Sequence, residues 1–228
     1  MTSTPNPTPN PTPPGTVELP MFPLGSVLFP HMPIQLRLFE PRYLQMLAHL
    51  IETEEPRFGV VLIERGHEVG GQALTGANAE KRFEVGTVAE ITQLESGEGF
   101  VGLAATGTNR IVVDEWLPDD PYPRALVHEL PELAWSDNLE REKAEADQAV
   151  RRALAIASEF VEQPWAASVE ISSDPVEGSW QLAGVAPVSE LDQLRFLGSS
   201  SLRDLLVAVA TEAVAASETL VASWSDEE

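Results

Sequence analysis

The chain has 228 residues, no cysteine, and 36 acidic against 14 basic side chains, for a net charge of −22 at pH 7. Without cysteine there is no disulfide framework, no thiolate metal site and no cysteine nucleophile. A phosphate-binding surface needs a cationic stripe, and here just Lys81-Arg82 and Arg151-Arg152 place basic residues side by side, so neither nucleic acid nor an anionic membrane is an expected partner.

Residues 1–16 alternate Pro with Thr, Asn and Ser and carry no charge, which reads as an extended, polyproline-II-prone tail. They hold neither the basic segment nor the apolar segment of a secretory signal. No uninterrupted run of 18 apolar residues occurs either, so no spanning helix is expected and a cytoplasmic location is. From Val17 to about Pro131 the chain reads as short strands at 17–22, 33–39, 57–63, 84–94, 100–106, 109–117 and 124–130, punctuated by Gly and Pro. Regular short strands of this kind predict a closed or nearly closed barrel. In the second, Ile34, Leu36 and Leu38 alternate with Gln35 and Arg37, and Phe39 reads as a buried end. Pro41 then fits the first helical position, Glu40 suits the positive end of that helix, and Leu44, Leu47, Ala48 and Ile51 recur at helical spacing. Gly66 to Glu84, with Gly70-Gly71, Gly76 and Asn78, reads as a surface excursion, or functionally as a flap beside a groove.

After Pro131 the period becomes helical. Ser136 or Asp137 can cap a helix carrying Leu139, Ala146, Val150, Leu154, Ala157 and Val161, which Pro164 would end. Residues 164–187 read as a linker pinned by Trp165 and Trp180. Ser189 with Asp192 starts a second helix that Gly198 breaks, and Ser199 to Ser201 can cap a last one through about Val221.

Little in the chain suggests catalysis. Lys81 and Lys143 are the two lysines; neither follows a phosphate-binding glycine loop, and Lys143 is placed on the exposed face of a charged helix, where no Ser-Lys dyad is expected. His31, His49, His67 and His128 lack metal-ligand spacing, and no G-x-S-x-G elbow accompanies them. No catalytic residue, metal or cofactor is expected.

Six segments occur in a telling order: Leu19-Pro20-Met21-Phe22-Pro23-Leu24-Gly25, Val27-Leu28-Phe29-Pro30, Leu36 to Tyr43, Phe58 to Ile63, Glu68-Val69-Gly70-Gly71, and Val85 to Ile91. Together they resemble the substrate-binding domain of ATP-dependent Lon proteases, which also occurs as free-standing bacterial proteins. The resemblance covers roughly residues 17–133 and the C-terminal helices more loosely, with residues 72–84 longer than the typical Lon-type connection. It implies an α+β fold, a PUA-like β pseudo-barrel with a C-terminal helical lobe. The implied organisation is a tail (1–16), a barrel (17–133), a helical lobe (134–222) and an acidic tail (223–228). Phe22, Pro23, Leu24, Phe29, Pro30, Phe39, Glu40, Pro41, Arg42, Tyr43, Gly70 and Gly71 are the motif positions, expected to be mainly structural.

Glu40 and Arg42 are the most tempting polar residues. Two positions apart at a helix start, they share no helix face, so no direct pair is expected; Glu40 would serve free N–H groups and Arg42 a neighbouring strand or loop. The alternative is ligand contact by both, with Tyr43 as an aromatic platform. The resemblance implies a non-catalytic module that binds unfolded or client polypeptides, an adaptor with an ATP-dependent protease as a partner. RNA binding is the runner-up on fold analogy alone, and a hydrolase is third. The client and the oligomeric state stay open.

Overall fold

The computed structural model describes residues 15–63 and 82–225. Its strands are β1 (Val17–Leu24), β2 (Pro33–Leu38), β3 (Arg57–Ile63), β4 (Arg82–Ser96), β5 (Val101–Leu117) and β6 (Arg124–Glu129). Its helices are α1 (Pro41–Glu52), α2 (Glu140–Ala157), α3 (Pro175–Val185), α4 (Glu190–Leu197) and α5 (Leu202–Ser225). The sheet order is β2–β5–β4–β3–β1–β6, and β6 pairs back onto β5. That return closes the barrel and leaves β2 outside the ring, paired to the first part of β5. β1 and β3 run parallel, with β2 and α1 in the crossover between them, and the remaining pairs are antiparallel. The α+β class and the barrel with a helical lobe are those the sequence predicts.

The two strands expected at 100–106 and 109–117 are one strand, β5, which serves β2 with its first part and β6 with its last. Gly107 lies between them. Its N–H donates to the Met32 carbonyl at 2.9 Å, and its own carbonyl accepts from His31 N–H at 2.8 Å. A Cβ at 107 would stand 2.2 Å from the Phe29 carbonyl oxygen, so the glycine that reads as a strand break is instead a point of close backbone approach.

Met21, Val61, Val88, Ile111, Val113, Ala125 and Val127 form one buried cluster on barrel strands. A larger core runs without a break from Phe22, Tyr43 and Phe58 through Phe29 to Trp180, then to Leu154, Phe196 and Leu206. The lobe therefore packs on its own barrel, each fully buried large side chain contributing roughly 1.5–3 kcal/mol. In α1 the buried stripe is Tyr43, Met46, Leu47 and Leu50, the i, i+3, i+4, i+7 set, with Pro41 in the first turn. The expected set was rotated from it: Leu47 is common to both, Leu44 is half-buried, and Ala48 and Ile51 are exposed.

A short 3₁₀ turn, Asp137–Leu139, precedes α2, and the Ser136 side chain makes no capping bond. α2 stops at Ala157, well before Pro164. Glu159 N–H bonds the Ile156 carbonyl, Phe160 and Val161 N–H bond that of Ala157, and Val161 faces solvent. The buried stripe of the helix ends at Ala157. The expected linker contains α3, whose cap, Asp174, accepts from Val176 and Glu177 N–H at 2.9 Å each. Gly178, Ser179, Trp180, Leu182, Ala183 and Val185 are all buried, and a helix covered on most sides shows no polar face to give it a period.

Downstream, the Ser189 hydroxyl accepts from Asp192 N–H and Gly198 is the C-cap of α4. The Ser201 hydroxyl accepts from Asp204 N–H at 3.1 Å. α5 runs to Ser225, past the expected boundary at 222. By length and composition its segment Leu202–Ala222 could cross a membrane, contrary to expectation, because Glu212 and Glu218 interrupt the apolar run without disqualifying the helix. Leu202, Leu205, Leu206, Val209 and Ala213 are nonetheless packed into the core.

Candidate functional site

The junction of β2 and α1 is built by strict alternation. Leu38 turns inward and is 1% exposed, so the next side chain, Phe39, turns outward and is 68% exposed. Reading Phe39 as buried broke the period that its own strand had set. β2 is the terminal strand of the sheet, and among the described residues no strand pairs with its outer edge. Among the described residues, a strand edge without a pairing strand thus ends at a solvent-exposed aromatic ring.

Glu40 and Arg42 pair directly, Arg42 Nε donating to Glu40 Oε2 at 2.9 Å. Helix-face spacing does not govern this pair, because Glu40 is the N-cap, extended at φ −72° and ψ 133°, and is not on the helix surface at all. Arg42, in the first turn, leans back toward the helix start and meets it. The Glu40 side chain makes no capping bond. Arg42 also lies 4.7 Å from the Tyr43 ring centre. Tyr43 itself is 6% exposed, its ring 4.1 Å from that of Phe22, so it anchors the helix and is not an open platform.

Pro23 and Leu24 pair with Val61 and Leu62 of β3, Phe29 is buried 6.1 Å from the Trp180 ring, and Pro30 is buried. Gly70 and Gly71 lie outside the described residues, as does most of the 66–84 excursion.

Arg110 escaped sequence reasoning. It is buried, donating to the carbonyls of Leu197 at 2.9 Å, Ser199 at 2.7 Å and Pro131 at 2.7 Å, and burial pulls its pKa down. One arginine before the apolar run Ile111-Val112-Val113 was the available signal. A cleft of about 330 Å³ lies beside β1, the end of α1 and β6. There Arg124 is occupied by Glu18 at 2.9 Å. Burial pushes the Tyr122 phenol up, Arg124 opposing and Glu18 adding to the shift. On β5 and β6, His128 Nδ1 contacts Asp114 at 2.9 Å and Thr16 Oγ1 donates to the same carboxylate at 3.2 Å. A hydrolytic triad needs the imidazole between hydroxyl and acid; here the acid is in the middle.

The fold matches that of solved Lon N-terminal domains. A Lon N-terminal domain protein from Xanthomonas campestris superposes with a TM-score of 0.60 at 23% identity, covering 86% of this chain and 98% of that one. The N-terminal domain of a Mycobacterium avium complex Lon protease gives the same score and coverage at 13% identity. The chain belongs to the ATP-dependent protease La (LON) substrate-binding domain family, whose model matches residues 18–212. It is 31% identical over 114 residues to Lon protease 2 of Herpetosiphon aurantiacus, a match covering 49% of this chain and 13% of that protein. It is 26% identical over 216 residues to a LON peptidase N-terminal domain and RING finger protein of Schizosaccharomyces pombe, covering 84% of this chain and 44% of that protein. The chain thus spans less than half the length of these relatives.

Proposed function

We propose that this chain is a non-catalytic polypeptide-binding module that takes an extended, apolar stretch of an unfolded client along the outer edge of β2. The observation that carries the reading is the exposed Phe39 ring at the end of a strand edge with which no strand pairs among the described residues. Main-chain groups of the edge supply affinity for any extended chain, and the ring selects apolar side chains. The Glu40–Arg42 pair borders the site and favours polar flanks. Membership of a substrate-binding family supports the same reading, as does the arrangement around Asp114, which offers no activated hydroxyl. In this account the protein is a cytoplasmic adaptor that presents clients to an ATP-dependent protease.

Immobilised protein should retain unfolded model proteins and ignore their folded forms, and Phe39→Ser should release the unfolded ones. Equal retention of both forms, or retention indifferent to Phe39, would contradict the assignment.

A further inference from the structure

We propose that the groove between α2 and the segment leading into α3 binds the free carboxylate of a polypeptide whose last residue is apolar. The groove encloses about 540 Å³, within the range of roughly 300–1,000 Å³ typical of small-ligand sites and adequate for a terminal residue and its neighbour. This inference rests on the polypeptide-binding reading and names a second, end-specific contact for the same class of client.

Lys143, Asp147 and Arg151 recur at four-residue spacing and line the groove on one helix face. Asp147 is paired with Arg151, its two oxygens sharing the one Nε–H at 3.0 Å each. Arg151 Nη1 donates to the carbonyls of Ala167 at 2.8 Å and Val169 at 3.1 Å. Among the described residues, Arg151 Nη2 and the Lys143 ammonium have no acceptor, and neither does the Ser173 hydroxyl on the facing wall.

Lys143 is not on an exposed face, as its sequence context suggested, but half-buried. A Cβ built on Gly178 would lie 3.2 Å from Nζ and 2.6 Å from the Ser172 carbonyl, so the missing side chain makes the space the amine occupies. A carboxylate between Lys143, Arg151 and Ser173 would accept charge-assisted hydrogen bonds from all three.

The rest of the groove suits the apolar body of the ligand. Trp135, Ile171 and Leu182 line it, and each packs against or belongs to the main core. The first N–H groups of α3 are not the anion site, since Asp174 already occupies those of Val176 and Glu177. Glu140 also lines the groove but is exposed, which disfavours a client with acidic residues near its end.

The test uses the full chain and two labelled peptides of one apolar sequence ending in Leu, one a free acid and one an amide, with N-acetyl-leucine as a third ligand. Fluorescence anisotropy should show the acid binding about tenfold or more tighter than the amide. Lys143→Met should erase that preference and Lys143→Arg should keep it, with circular dichroism and thermal melting unchanged in both. Equal binding of acid and amide, or a preference that survives Lys143→Met, would overturn the site; if Phe39→Ser still weakened both peptides, polypeptide binding would stand without it. Binding of N-acetyl-leucine through Lys143 with no binding of either peptide would overturn the polypeptide assignment itself.

Discussion

The Arg110 guanidinium lies 5.2 Å from the centre of the Trp180 ring, joining a barrel strand to a helix of the lobe. Around that contact, three donor bonds tie β5 to the turn between α4 and α5 and to the chain leaving the barrel at Pro131. The residue is 5% exposed, so water cannot readily replace it.

Arg110→Met should therefore leave buried carbonyls without donors and cost about 2–4 kcal/mol. Arg110→Lys, which keeps the charge but loses the planar fork, should fall between. Urea unfolding checks both, and a loss below about 1 kcal/mol for Met would contradict a joining role.

Gly107→Ala should cost about 2 kcal/mol or more, because the new methyl would meet a backbone oxygen, not a side chain that can turn away. The melting temperature should drop by several degrees. An unchanged melting curve would show that β5 does not approach Phe29 as closely as described.

The sequence made the barrel legible because its strands alternate cleanly and its turns are marked by Gly and Pro. It was misleading where one residue carries two meanings. Gly107 reads as punctuation but is a contact; Phe39 reads as core because it is large and apolar, although Leu38 had already taken the inward position. α3 was invisible because nearly all its sides are covered, and the Glu40–Arg42 pair was missed because a cap residue does not obey helix-face spacing. Arg110 and Lys143 owe their roles to neighbours 87 and 35 residues away along the chain, which no local pattern encodes.

Glu40 and Arg42 are each about 40% exposed in their side chains, so solvent screens their attraction. A double-mutant cycle with Glu40→Gln and Arg42→Gln should give a coupling of about 0.2–1 kcal/mol that shrinks with salt. A coupling above about 2 kcal/mol would mean the pair is far less solvated than its geometry indicates.

Two groups tune stability at opposite ends of the pH scale. Hydrogen bonds from Ser201 and then Ser200 hold the Asp204 carboxyl below its usual range, so its contribution is present above the unfolded carboxyl pKa and is lost as pH falls through the folded one. Burial raises the Tyr122 phenol, so its contribution is present below the unfolded phenol pKa and is lost as pH rises through the folded one. Asp204→Asn should flatten the acid limb of a stability-versus-pH curve and Tyr122→Phe the alkaline limb. Limbs unchanged in the variants would place the titrating groups elsewhere.

Phe39→Ser should leave stability within about 0.5 kcal/mol, as for most exposed positions, while removing client retention. Hydrogen exchange of the full chain, with and without a permanently unfolded client protein, reads the binding edge itself. Slowed exchange across residues 33–39, absent in Phe39→Ser, is the outcome expected if β2 takes the client as an added strand. Client binding with no change at β2, or protection confined to other elements, would contradict it.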